Sequence, residues 1–290
     1  MFGADHIVGT FIFADDAVWA FDESGVTRID TDTNASAHLD LLAANGRKTV
    51  SVYGALGFGS IWVTDFYLDE VRRYAEGDGS LQSVITVVKP SSIIVADDSV
   101  WVAEHRTGSV ARIDPETEIV VSVEVGTTGT SGPEHLIAVD DQIWTGVPRD
   151  HTVAGIDATT NAVIGAIGVS EPGFPCGDIG SFGDRLYVSG CLASKSLAVV
   201  DIATTEAVAS LELGGYVSGP VTVGEQLWLG VVGSESSLTS LDPVSLETGR
   251  SLPVTGGDPL LLFVADDSLW VAIERDPQVW ILRLPLSEFE

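Results

Sequence analysis

Glu134 and His135 stand side by side in this chain, and Glu104-His105-Arg106 and Arg149-Asp150-His151 each put carboxylate, imidazole and guanidinium within three residues. Imidazole and carboxylate together can hold a divalent cation such as Mg²⁺ or Ca²⁺. They can equally set a general base beside a bound substrate. On that reading His135, Glu134 and His105 are the candidate catalytic groups and Asp178 the candidate metal ligand. Tyr53, Ser92, Glu104, Arg106, Arg149 and His151 are the candidate binding residues. The competing reading is that loop residues are polar because they face water, and that no cofactor is required. Other chemistries are excluded by pattern: no Ser lies in a G-x-S-x-G frame, no H-E-x-x-H occurs, and no phosphate-cradling glycine loop is present. Asp30-Thr31-Asp32-Thr33-Asn34 begins like a calcium loop, but Ala35 and Leu41 stand where glycine and the bidentate Glu are needed. Asn34-Ala35-Ser36 is a glycosylation sequon by letter alone.

These residues can act together only if the elements carrying them share one face, and the elements are set by a repeat. Trp19, Trp62, Trp101, Trp144, Tyr187, Trp228 and Trp270 recur at steps of 43, 39, 43, 43, 41 and 42. A period near 40 is that of a repeat array or a propeller. The copy from Pro90 to Gly126 holds four short runs rich in Val and Ile, separated by Asp97-Asp98, by Glu104 to Gly108 and by Asp114-Pro115-Glu116-Thr117. Branched residues in short runs bounded by turn formers read as strands. Asp16, Asp98, Asp141, Asp184 and Asp267 sit three residues before the aromatic, and Asp30, Asp114, Asp157, Asp201 and Asp242 close the third strand. Both sets read as turn chemistry, in which a carboxylate accepts from nearby amides and tolerates left-handed backbone.

Four antiparallel strands per copy, seven copies, give an all-β, seven-bladed β-propeller. The whole chain, 1–290, reads as a single domain, with repeats at about 10–49, 50–88, 89–131, 132–173, 174–216, 217–256 and 257–290. The last copy lacks an outer strand, and residues 5–9 (His6-Ile7-Val8-Gly9 at their heart) are expected to supply it. The N-terminal strand thus closes the last blade and removes a sheet edge. Counting nine back from each aromatic marks the start of the inner strand at Thr10, Tyr53, Ser92, His135, Asp178, Gly219 and Leu261. In a propeller those starts and the second-to-third strand loops gather at one mouth of the channel, where His135, Glu134, His105, His151 and Asp178 are expected to meet.

Composition bounds the partners. The chain carries 42 acidic against 14 basic residues, a formal charge of −28, with Lys48, Lys89 and Lys195 its only lysines. That field repels phosphate backbones, so nucleic acid is excluded as a partner. No run of 18 apolar residues exists to span a membrane, and a monomer is expected. Cys176 and Cys191 flank the hairpin that turns at Gly183-Asp184, and because 176 + 191 equals 183 + 184 they face each other across two antiparallel strands. Facing residues lie at a separation that suits a disulfide. Two buried free thiols are the alternative. Met1 to Gly9 reads as strand, with Asp5 where a leader would be basic. The expectation is an extracytoplasmic or secreted protein whose leader is absent from this chain, the alternative being cytoplasmic.

Ser99-Val-Trp-Val-Ala103 followed by Gly108 to Pro115, with its echoes Ser60-Ile-Trp-Val-Thr64 and Ser268-Leu-Trp-Val-Ala272, resembles the repeats of bacterial YncE-like and YVTN-type propellers and of streptogramin (virginiamycin B) lyases. The resemblance spans nearly the whole chain and implies the propeller fold. For activity it implies a channel-mouth His and Glu that, with magnesium, open a cyclic depsipeptide ester by elimination. His135 and Glu134 occupy a suitable place, but the lyase motif does not align residue by residue. Two functions follow. One is a non-catalytic binding or scaffold propeller that presents its loop face to a peptide, glycan or protein. The other is a metal-assisted lyase or a lactone or ester hydrolase.

Overall fold

The computed structural model describes residues 2–4, 8–14, 17–22, 25–41, 53–127, 129, 132–169, 175–191, 194–275 and 278–289. Among them β1 (Phe2–Ala4) comes first. Blade 1 holds β2 (Val8–Ala14), β3 (Ala17–Asp22), β4 (Gly25–Asp30) and β5 (Ser36–Asp40). Blade 2 holds β6 (Gly54–Gly57), β7 (Ser60–Asp65), β8 (Glu70–Ala75) and β9 (Leu81–Thr86); blade 3 holds β10 (Pro90–Ala96), β11 (Ser99–Glu104), β12 (Ser109–Ile113) and β13 (Val120–Glu124). Blade 4 holds β14 (Leu136–Val139), β15 (Gln142–Val147), β16 (Thr152–Asp157) and β17 (Val163–Gly168); blade 5 holds β18 (Ile179–Phe182), β19 (Arg185–Ser189), β20 (Ser196–Asp201) and β21 (Glu206–Glu212). Blade 6 holds β22 (Tyr216–Val223), β23 (Gln226–Val232), β24 (Ser237–Leu241) and β25 (Thr248–Pro253); blade 7 holds β26 (Asp258–Ala265), β27 (Ser268–Arg275) and β28 (Gln278–Pro285). Each blade is a four-stranded sheet, with strands in chain order in blades 1 to 6 and β1 added beside β28 in blade 7, and the fold is a seven-bladed β-propeller. No helix among the described residues is long and apolar enough to cross a membrane.

The N-terminus does complete blade 7, but not with the residues expected. The outer strand is β1, pairing Phe2 with Ile281 and Ala4 with Val279. Val8 instead pairs with Asp22 inside blade 1. Asp5, His6 and Ile7, like Asp16, lie outside the described residues. The β-rich run at 6–9 resembled an outer-strand ending, but Val8 and Gly9 are the first residues of the long inner strand β2.

The chain divides into two compact units. The first comprises His6–Trp144 and Ile156–Ile164, the second Met1–Asp5, Thr145–Gly155 and Gly165–Glu290.

Within each unit the recurrent aromatics pack between neighbouring blades. Trp62 joins Ile85 and Val87 of its own blade to Ile93, Val100 and Val102 of the next. In the second unit Tyr187, Leu197 and Val199 meet Val217, Leu227 and Leu229. Alternating strands offer two faces, and a blade sandwiched by its neighbours buries both, which is why β7 and β11 are buried at every position.

A polar latch accompanies the packing. Arg73 lies 4.7 Å from the Trp62 ring centroid and Arg112 5.2 Å from that of Trp101, each its cross-strand partner. Their Nε atoms donate to Ser60 and Ser99 at 2.9 and 2.8 Å, and their Nη1 atoms donate to the Pro115 and Ala158 carbonyls in the turns of the next blades. In the second unit Arg185 Nη1 and Tyr187 Oη donate likewise to the Pro243 carbonyl.

That turn is the one the third-strand aspartates build. Asp30, Asp157 and Asp201 each accept from the amide and hydroxyl of the Thr three residues on, and Asp114 and Asp242 each accept from two amides. The fifth residue, Asn34, Glu118, Asn161, Thr205 or Leu246, then takes a positive φ, the left-handed residue that returns the chain to the sheet. The aspartates before the aromatics act differently. Asp98 has φ 55°, whereas Asp141 and Asp184 accept through their carbonyls from Ala158 and Ile202.

The Asp30 and Asp157 carboxyls are held below their ordinary pKa by the Thr33 and Thr160 hydroxyls and amides, and those of Asp114, Asp201 and Asp242 chiefly by the turn amides. A folded pKa below the unfolded one contributes stability that is complete above the unfolded value, about 3.9 for Asp, and is lost as pH falls through the folded one. Calorimetry from pH 7 downward is expected to show a melting temperature that holds towards the pI, where self-repulsion is least, and collapses below pH ~4. Asp114→Asn with Asp157→Asn makes that collapse shallower; an unchanged acid limb would contradict the assignment.

Cys176 and Cys191 form a disulfide, their Cα atoms 5.1 Å apart. The hairpin register agrees with the sequence arithmetic, since Ile179 pairs with Val188 and the Ser189 amide bonds to the Asp178 carbonyl. A 15-residue link restricts the unfolded chain by about 3 kcal/mol. Cys176→Ser with Cys191→Ser is therefore expected to melt roughly 6–12 °C lower, and reductant is expected to shift the parent to the same temperature. A melt indifferent to both would remove the disulfide from the stability account.

Candidate functional site

In the first unit the loop between β7 and β8 rests on a buried charge. Arg72 is 1% exposed; its Nη2 donates to Asp65 at 2.8 Å and to Glu70 at 3.0 Å, and its Nε donates to Glu70 at 3.2 Å. Burial alone pulls the guanidinium pKa down. The Glu70 hydrogen bond and the charge of Asp65 stand against it, and the Arg72 pKa is raised. Asp65, also buried, uses its other carboxylate oxygen to accept the Tyr67 and Leu68 amides, both at 3.1 Å. An Arg-clamped carboxylate thus fixes the loop backbone.

What the clamped loop presents is apolar. Tyr67 is 69% and Leu68 50% exposed. Phe66 packs edge-on against Tyr67 and, at 5.8 Å between centroids, against His105. Lys89 closes the other side, its Nζ 5.5 Å from the Phe66 centroid, donating to the Phe66 carbonyl and paired with Asp69 at 3.0 Å. The Lys89 amide, and then its ammonium, hold the Asp69 carboxyl below its ordinary pKa.

His105 Nδ1 lies 3.2 Å from Glu134 Oε1, both side chains about one-third exposed. Gly132 makes this approach possible: its amide donates to the His105 carbonyl, and a Cβ there would strike the Glu104 and His105 carbonyls. Glu104 sits beneath, 4% exposed, accepting from the Val88 amide and the Thr107 hydroxyl at 3.3 Å each. Burial raises its pKa above the ordinary carboxyl value, against the pull of those hydrogen bonds.

The other candidates make other contacts. His135 packs edge-on against Tyr53 at 5.9 Å. Ser92 accepts the Leu136 amide, tying the inner strand β10 to the start of β14. Arg106 is exposed on the β11–β12 loop. Arg149, His151 and Asp178 belong to the second unit. Arg149 lies exposed on the 3₁₀ turn Pro148–Asp150, and His151 closes that turn in left-handed geometry. Asp178 accepts the Gly219 amide at 2.8 Å, the same kind of inner-strand tie as Ser92. Among the described residues no group of three His, Cys, Asp or Glu is arranged to hold a metal ion. Of the expected cluster, then, His105 and Glu134 come together, with the binding candidate Glu104 next to His105 in the chain, and their companions are Phe66, Tyr67, Leu68 and Lys89.

Those companions escaped the sequence reading, although Arg72 carries a signal. The residue paired with the one after each aromatic is Thr27, Ala111, Ala198, Thr239 and Leu282 in five other blades, and Arg72 here. A lone charge in an uncharged column marks a special site.

No family model matches the chain, and no curated protein matches it. Solved structures do: hydrazine synthase of Kuenenia stuttgartiensis (TM-score 0.74, 16% identity, covering 96% of this chain and 99% of that one), BamB from Moraxella catarrhalis (0.68, 16%, 93% and 82%) and the WD40 repeats of RRP9 (0.71, 12%, 98% and 92%). At such identities the likeness is one of fold. The YncE or streptogramin-lyase family receives no support from it beyond the propeller.

Proposed function

We propose that the protein is a non-catalytic binding propeller whose first unit recognises a peptide or protein segment on the face formed by Phe66, Tyr67, Leu68, Lys89, His105 and Glu134. One observation carries the reading. A fully buried Arg72–Asp65 pair fixes the backbone of a loop whose tip holds an exposed tyrosine and leucine. Ordering apolar side chains in water gains nothing for folding, whereas a preorganised aromatic anchor lowers the entropy cost of binding. The net charge favours a partner segment that places basic residues around an apolar anchor. The disulfide suits an oxidising compartment, and we place the protein outside the cytoplasm on that ground.

Panning a random-peptide library on the folded protein tests this. Enriched sequences are expected to combine an apolar residue with Lys or Arg, and to slow amide exchange at 65–69 and 104–107. Protection confined to the exposed 243–246 turn, or no enrichment, would overturn the reading.

The enzyme alternative has one specific support, the His105–Glu134 pair, a carboxylate-oriented imidazole beside the raised-pKa Glu104. A divalent cation, which the imidazole and carboxylate residues and the resemblance both suggest, belongs to that alternative, and no donor trio gathers to hold one among the described residues. On that alternative His105→Ala abolishes turnover of cyclic esters or lactones and Glu134→Gln reduces it; on the binding reading the parent shows none.

A further inference from the structure

The loop that presents Tyr67 and Leu68 is tied to the edge strand of its own blade. In blade 2 the strands run β6-β7-β8-β9, so β9 is the edge, and among the described residues no strand pairs with its outer side. After a register shift at its start, β9 pairs regularly with β8 from Ser83 to Thr86. The Val87 amide carries the ladder on by donating to the Asp69 carbonyl at 3.0 Å. Residues of an antiparallel strand bond alternately to one side and the other, and the Val87–Asp69 bond sets the phase. Ser83, Ile85 and Val87 turn their amides and carbonyls towards β8, whereas Val84, Thr86 and Val88 turn theirs outward. The Val88 amide bears this out, since it donates to the Glu104 carboxylate at 3.3 Å rather than to β8. Val84 and Thr86 are left with backbone groups that can take up another strand.

Edge strands are ordinarily guarded by a charge or a proline. Of the outer strands of blades 1 to 6, β5 carries Asp40, β13 Glu124, β21 Glu206 and Glu212, and β25 Arg250 and Pro253. β17 is uncharged but is interrupted by Gly165 and Gly168, which weaken a strand. β9 and its continuation read Leu81-Gln82-Ser83-Val84-Ile85-Thr86-Val87-Val88, with no charge, proline or glycine. Val84 is 45% and Val88 44% exposed, and Thr86 between them is exposed too. This stripe leads to the clamped loop, because the amides on both sides of Val88 bond to Asp69, that of Val87 to its carbonyl and that of Lys89 to its carboxylate at 2.9 Å. A second copy of the chain is a poor occupant, since two molecules of charge −28 repel each other. An extended segment carrying basic residues is attracted instead.

We propose that the partner segment binds as an added β-strand along the outer edge of β9, bonding to the backbone of Val84 and Thr86, and runs on past Val88 to the Tyr67–Leu68 anchor. The inference rests on the binding reading above and names its mode: main-chain bonds hold the segment, and its alternate side chains meet Val84, Thr86 and Val88. The test uses the peptide enriched by panning, made in two forms that carry N-methyl groups on alternate residues, in one phase or the other. N-methylation removes a donor from the peptide and leaves the protein untouched. One phase is expected to weaken binding about tenfold, as loss of two backbone hydrogen bonds allows, and the other to change it by less than about threefold. In the complex the Val84 and Thr86 amides are expected to exchange more slowly, with those of Ser83 and Ile85, already bonded to β8, little changed. Thr86→Pro removes an outward amide and is expected to weaken the peptide likewise with melting temperature unchanged; Val84→Pro serves if that variant melts early. Binding that slows exchange at 65–69 and 104–107 but is indifferent to methylation phase and to Thr86→Pro would overturn strand addition and leave the binding reading standing. No enrichment of any peptide would end both. A concentration-dependent dimer of the parent that Thr86→Pro abolishes would overturn the choice of occupant and give the edge to a second copy.

Discussion

An Arg72→Ala protein is expected to lose about 3–5 kcal/mol of stability and to melt roughly 10 °C below the parent. The loss is large because the change strands Asp65, which is buried and accepts only two amides besides the guanidinium. Raising the pH should deepen the deficit, since a stranded buried carboxyl resists ionisation. Replacing the trio by apolar residues, Arg72→Met with Asp65→Leu and Glu70→Leu, is expected to recover most of the melting temperature, as buried ion pairs commonly allow. Yet the Tyr67 and Leu68 amides, having lost their acceptor, should exchange faster. An Arg72→Ala loss below about 1 kcal/mol, the scale of an exposed ion pair, would show the clamp to be ornamental.

Trp101→Ala should be equally damaging, at about 3–5 kcal/mol. The ring is fully buried, its Nε1 donates to the Ala96 carbonyl at 3.2 Å, and it supports Arg112, which holds Ser99, the Ala158 carbonyl and Asn161. The truncation opens a cavity and loosens a latch into blade 4. Trp101→Phe, which keeps a ring for Arg112 to lie against, should cost well under half as much by chemical denaturation. Equal losses for the two variants would contradict a role for the stack.

How much could be read beforehand followed from the range of the interactions. The Trp and Tyr spacing, the turn aspartates and the facing cysteines are local or set by hairpin register, so residue numbers alone placed them. The closing strand was misplaced by a few residues because β1 and the start of β2 have similar composition, and only pairing with β28 separates them. The site was legible in part. Loop position and residue type suffice to bring His105 and Glu134 into view as groups that can meet, as they do at 3.2 Å. Ser92 and Asp178 each spend a hydrogen bond on the next blade's backbone, a contact that depends on how closely inner strands of neighbouring blades approach. Phe66, Tyr67 and Leu68 carry no pattern of residue type or spacing that singles them out. Their importance rests on Arg72, whose burial depends on how blades 1 and 2 pack, as Tyr74 does two residues along the same strand.

The central claim is that the clamped β7–β8 loop is a recognition element rather than a connector. It is tested most directly by calorimetric titration of a panned peptide against the parent, Tyr67→Ala and, as a control at an exposed apolar residue of the second unit, Val244→Ala. The account predicts that Tyr67→Ala weakens binding at least tenfold, as a hot-spot aromatic does, with melting temperature unchanged and Val244→Ala binding like the parent. Parent-like affinity in Tyr67→Ala would contradict it.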